Sequence, residues 1–183
     1  MYESTFSNAS FPHALFSLDE ELAASTRSAA CPHCGGVLHV ANYLRKPRGG
    51  PWVLTGEHAI RHSLCCAREG CRRRTLPPSV RFLGRRVYLA AVVVLGVALR
   101  QGLTPFRVRR LEALLGADRR TLTRWRDWWT TQFTESPTFD ALRSRLVPPV
   151  APGELPRAAL DRFLGEPSQR LLAFLRFLAD GAG

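Results

Sequence analysis

The chain has 183 residues, 45% of them hydrophobic, with a formal net charge of +11 and a sequence pI near 10.8. That is enough apolar material to build the core of one domain or of two small ones. The charge is uneven: residues 1–30 carry −3, residues 31–134 carry +14 and residues 135–183 carry zero. A basic excess focused on one segment points to a polyanionic partner, nucleic acid ahead of an acidic membrane surface.

Residues 1–30 are rich in Ser and Ala with scattered Phe. They are expected as a loosely ordered leader, with a short helix near Leu18–Ala24 capped by Ser17. An acidic start without an apolar run argues against a secretory signal, and hence against disulfides.

The cysteines follow. Cys31 and Cys34 stand in CPHCGG, a two-residue gap that lets one tight turn present both sulfurs, with Gly35 and Gly36 freeing the backbone after it. A second cluster, RHSLCCAREGCRRRT at 61–75, offers Cys71 with Cys66 or with Cys65. Cys66 is preferred because its shorter gap is closer to an ordinary metal-binding turn. Four cysteines complete a tetrahedron, so the expected ligands are Cys31, Cys34, Cys66 and Cys71 around a structural zinc ion. His33, His39, His58 and His62 are then bystanders, with His62 the best substitute. Residues 37–43, 61–66 and 72–78 read as three short strands, ended by Pro77 and Pro78. Two knuckles on such a sheet make a zinc ribbon (31–80), whose folding depends on the metal. Arg72, Arg73 and Arg74 follow the last ligand and suit phosphate contacts.

Residues 87–100 are apolar on every side but too short to cross a membrane, which takes about twenty such residues. Flanked by Arg85, Arg86 and Arg100, they read as a buried core helix. A Thr104–Pro105 start and Gly116 bound a second helix carrying Arg109 and Arg110. Asp118 then caps a third helix, with Leu122, Trp125 and Trp129 facing inward at i, i+3, i+7 spacing. Its opposite side holds Arg120, Thr123, Arg124, Asp127 and Thr131, with Arg119 and Thr121 in the first turn. Helix, short turn and basic capped helix is the helix-turn-helix arrangement, and residues 81–134 are expected to form a three-helix unit of that kind. Arg120 and Arg124 would reach guanine edges, and Thr123 a methyl group or a phosphate.

A two-knuckle ribbon, an arginine run and a helix-turn-helix over residues 31–133 together resemble the N-terminal DNA-binding region of insertion-sequence transposases. The resemblance implies metal ligation by Cys31, Cys34, Cys66 and Cys71, and groove contacts by Arg119, Arg120, Thr123 and Arg124. Such transposases continue into a nuclease domain with three separated acidic residues, for which this chain has no room. The resemblance therefore implies an accessory or regulatory protein of a mobile element.

Residues 135–183 hold short amphipathic pieces near 138–146, 156–164 and 168–179, expected as a helical tail that packs on the body or on another copy of the chain. No nucleophile–base pair, phosphate loop or paired-carboxylate motif occurs, so the chain reads as non-enzymatic. The expectation is a mainly α protein with a small β zinc ribbon that binds double-stranded DNA in the cytoplasm, on the nucleoid. A homodimer, or contact with a transposase through the C-terminal helices, is compatible with it. The alternatives are a zinc-ribbon protein-interaction module in a larger complex and an RNA binder. RNA is disfavoured because the basic stretches lack interleaved aromatic residues for base stacking.

Overall fold

The computed structural model describes residue 5 and residues 8–45, 47–50, 56–83, 88–99 and 104–182. Among them are seven α-helices and two small antiparallel sheets, and no helix is long and apolar enough to cross a membrane.

Helix α1 spans Ser10–Ser28 and replaces the expected leader over that range. Phe11, Leu15, Leu18 and Leu22 recur at i, i+4, i+7 and i+11, a helical stripe that packs into the main core. Scattered aromatics and small residues masked this period, and Ser17 lies inside the helix rather than at its cap. The Asn8 side chain instead accepts the Ser10 N–H at 2.9 Å.

The strands are β1 (Leu38–Val40), β2 (Tyr43–Leu44), β3 (Ile60–Arg61), β4 (Leu64–Cys66) and β5 (Arg74–Thr75). One sheet runs β1-β4-β5 and the other pairs β2 with β3. The expected strands at 37–43 and 61–66 are thus each split in two. At the break the Asn42 side chain, rather than a backbone carbonyl, accepts the Ser63 N–H at 3.0 Å. Leu38, Leu64, Cys31 and Cys66 form a small core of their own beneath this ribbon.

Helix α2 (Ala90–Ala98) is the centre of the larger core, with all nine residues buried. Helices α3 (Pro105–Leu115) and α4 (Arg119–Thr130) both pack against it. Gly96 makes the α2–α4 approach close: a Cβ there would lie 2.9 Å from Trp125 and 3.0 Å from Leu122. Truncation of the fully buried Leu95 to Ala would remove about 2–5 kcal/mol.

Helices α5 (Pro137–Arg143), α6 (Arg157–Leu160) and α7 (Pro167–Asp180) complete the chain. The broad apolar face of α7 is used within the molecule: Leu171, Phe174, Leu175, Phe177 and Leu178 are buried in the core shared with α1 and α2.

Candidate metal centre and basic helix face

The first knuckle is a tight turn in which Gly35 N–H donates to Cys31 O (2.8 Å) and Cys31 N–H donates to Gly36 O (2.9 Å). Gly35 has φ +67°, the left-handed region that glycine enters without a steric penalty. A Cβ on Gly36 would sit 3.1 Å from Cys66 Sγ and 3.3 Å from Cys34 Sγ. The absence of a side chain there lets the two knuckles close on each other.

The second knuckle repeats the pattern with different residues. Cys71 and Arg72 N–H both donate to Arg68 O, at 3.1 and 3.2 Å, and Cys66 N–H donates to Arg73 O at 3.0 Å. Arg72, at φ +45°, takes the role that Gly35 has in the first turn. Arg68 Nη1 donates to Cys34 O at 3.0 Å and ties one knuckle to the other.

The ligand atoms of Cys31, Cys34, Cys66 and Cys71 all lie within 4.8 Å of one another, with Cys34–Cys66 at 3.4 Å and Cys31–Cys71 at 3.9 Å. All five cysteines are free thiols, since a disulfide needs about 2.05 Å. Four sulfurs at these separations are positioned to hold a metal ion. Cys66 rather than Cys65 joins the set because neighbouring residues on a strand face opposite ways. Cys65 Sγ is turned outward, 3.5 Å from Arg72 O. Backbone N–H donation from Gly36, aided by the Cys66 thiol, lowers the Cys34 pKa to about 7, whereas burial pushes the Cys66 thiol up to about 12. A bound cation would supply the positive charge that lets such a buried thiol ionise.

No histidine belongs to this sulfur set. His33 Nδ1 pairs with Arg73 Nη1 at 3.3 Å, while His58 and His62 pack against the Phe16 ring, 5.4 and 5.7 Å away between centroids.

The second group of expected residues lies on α4. Asp118 Oδ1 accepts the Thr121 N–H at 2.6 Å, which caps the helix and holds the Asp118 carboxyl below the usual carboxylate range. Leu122, Trp125 and Trp129 are buried against the core, as their spacing requires. Arg119, Arg120, Thr123 and Arg124 are exposed on the other side. Thr121 is not available for a groove contact. It is 5% exposed, because the third helical position rotates inward beside Leu122, and its hydroxyl accepts from Arg124 Nη2 at 3.1 Å.

No protein-family model, curated protein or solved structure matches this chain.

Arg109 and Arg110 are exposed on α3, and Arg72, Arg73 and Arg74 are exposed around β5. Arg74 stacks 5.8 Å over the Tyr43 ring. Arg85 and Arg86 lie outside the described residues. Two arginines of the basic segment, Arg61 and Arg81, are interior and are not available for direct surface contacts. Burial lowers the Arg61 pKa, and the group is held by donation from Nη2 to Pro77 O at 2.6 Å. Three acids, Asp19, Glu20 and Glu21, lie between Leu18 and Leu22, and only Asp19 turns inward and is buried.

Proposed function

We propose that this protein is a zinc-stabilised reader of double-stranded DNA, with α3, the turn at 116–118 and α4 acting as a helix-turn-helix. The observation that carries this reading is the division of α4 into two faces. Leu122, Trp125 and Trp129 anchor it to the core, while Arg119, Arg120, Thr123 and Arg124 are presented to solvent from a capped and rigid helix. In the major groove Arg120 and Arg124 match the acceptors of guanine, and Thr123 suits a thymine methyl or a phosphate. Arg72, Arg73 and Arg74, with Arg109 and Arg110, supply cations for the backbone.

Zinc is the metal best suited to the cysteine set. A tetrahedron with Zn–S bonds of about 2.3 Å has S···S edges of roughly 3.8 Å, close to the spacing of the four sulfurs. Four protein ligands leave no position for water, so the metal's role is structural, and the protein acts by binding rather than by catalysis.

The order of ribbon, arginine run and helix pair supports an accessory or regulatory role in a mobile element, alongside a transposase and on the nucleoid. Because α7 packs its apolar face inside the molecule, a protein partner of the C-terminal part would meet exposed side chains such as Val147 and Leu164 instead. Selection of bound duplexes from a random pool by zinc-loaded protein tests the reading. Enrichment of a defined motif is expected, and a palindromic one would add a homodimer. Binding without enrichment would reduce the claim to electrostatics, and no binding would favour a protein-interaction module.

A further inference from the structure

Residues 47–50 follow β2 in the chain and reach the helices. Arg48 O accepts the Leu89 N–H at 3.0 Å, just ahead of α2. Two residues on, Gly50 N–H donates to Leu115 O at 3.1 Å, on the last residue of α3. Gly49, at φ +88°, fits between them because it lacks a side chain: a Cβ there would lie 2.8 Å from Val92 Cγ1 and 2.9 Å from Leu115 O. Its Cα approaches within 3.9 Å of the space beside Gly116, in the turn that leads to α4. The ribbon loop is therefore fastened to the helices by backbone bonds on either side of Gly49, one to the entry of α2 and one to the end of α3, with the exposed Arg48 next to them. Arg48 is a single Cα step, about 3.8 Å, from that contact, and it forms no ion pair among the described residues. Neighbouring Arg45 is already committed, stacked 5.2 Å over the Phe82 ring.

We infer that Arg48 is a DNA-phosphate contact that the ribbon supplies to the N-terminal end of α4, so that ribbon and helix pair bind the duplex as one surface. This inference rests on the DNA reading above. A cation held by main-chain bonds beside the entry of a groove-reading helix positions the duplex without selecting its sequence. The glycine pair at 49–50 has a corresponding role: it permits the close approach that holds Arg48 in place.

The test measures affinity against salt concentration for the enriched duplex and for a random duplex of the same length, using full-length metal-loaded protein. Arg48→Ala should make the log–log slope shallower by about 0.9, the value for one lost phosphate, and weaken both duplexes by the same factor. Arg48→Lys should restore most of the slope. Arg143→Ala removes an exposed arginine from α5, one paired with Asp140 at 3.5 Å, and should leave the slope unchanged. An unaltered slope in Arg48→Ala, or the same change in both Ala variants, overturns the inference while the DNA reading stands. Failure of the wild-type protein to bind either duplex overturns that reading itself.

Discussion

Asp19 and Arg81, 62 residues apart, form an ion pair at 2.8 Å with side chains 0% and 2% exposed. Both oxygens of Asp19 and all three nitrogens of the Arg81 side chain take part in hydrogen bonds. Asp19 also accepts Ser79 Oγ–H at 2.6 Å and Val80 N–H at 2.7 Å. Arg81 donates to His58 O and Ile60 O, each at 2.7 Å, and lies 4.9 Å over the Phe16 ring. One buried cluster thereby fastens α1, β3 and the segment leading to α2, at the seam between the ribbon and the larger core.

Removing one partner leaves the other charged and dry. Asp19→Ala is expected to destabilise the fold by about 3–5 kcal/mol in urea unfolding. The double variant Asp19→Leu with Arg81→Met should recover part of this loss. Recovery stays incomplete because the His58 and Ile60 carbonyls would lose their donors, at about 1–3 kcal/mol each. A single variant as stable as wild type would show that the pair is not a structural fastening.

The sulfur geometry separates the five cysteines into four and one. Cys34→Ser should abolish stoichiometric metal binding and lower the melting temperature, whereas Cys65→Ser should leave metal content unchanged. Chelation of the wild-type protein should reproduce the first effect. Metal content measured by elemental analysis checks all three, and zinc should be the element found.

Gly96 lies where α2 meets α4. Gly96→Ala would drive a methyl group into Trp125 and Leu122, costing about 1–3 kcal/mol through overpacking. Gly153→Ala is the control, since a Cβ there meets nothing within 4 Å. Thermal melts of the two variants should therefore diverge.

His62 is buried, and its Nε2 has no hydrogen-bond partner among the described residues. Burial lowers its pKa below 6.5; the charge of Arg81, and more weakly that of Arg61, acts in the same direction, against Asp19 and Glu20. The folded protein thus holds the imidazole neutral, and below about pH 6.5 the unfolded chain binds the extra proton. This contribution is complete above that pH and declines as pH falls from 6.5 toward the lower folded value. His62→Phe should flatten the decline in urea unfolding followed between about pH 7.5 and 5.5. An unchanged slope would remove His62 as its source.

Under the proposed DNA reading, Arg124 is a base-contacting residue, and its bond to the Thr121 hydroxyl orients it. Arg124→Ala should relax preference at one position by about 1–3 kcal/mol, read from competition between duplexes differing at that base pair. Equal weakening on all duplexes would reassign it to the phosphate backbone.

Local spacing alone identified the CxxC turn, the α3–Gly116–Asp118–α4 succession and the inward row of Leu122, Trp125 and Trp129. Each depends on interactions within a turn or on one helical period, which the order of residues determines directly. The gap to Cys71 already favoured Cys66 over Cys65, and the pleat of β4 against β1 gives the physical reason, since it decides which of two adjacent side chains faces the opposite knuckle. Helix α1 was obscured because aromatic and small residues are scattered around its stripe and Ala9, not a capping Ser or Thr, stands at its start. The burial of Arg61 and Arg81, the inward turn of Thr121 and the fastening of the Arg48–Gly50 segment to the entry of α2 and the end of α3 were all set by tertiary structure. A charged side chain reads as surface until a distant carboxylate or carbonyl accepts it, and those partners lie 16 to 62 residues away. Residue order therefore determined the metal turns and the two-faced α4, while packing between distant segments decided which charges remain free to meet a partner.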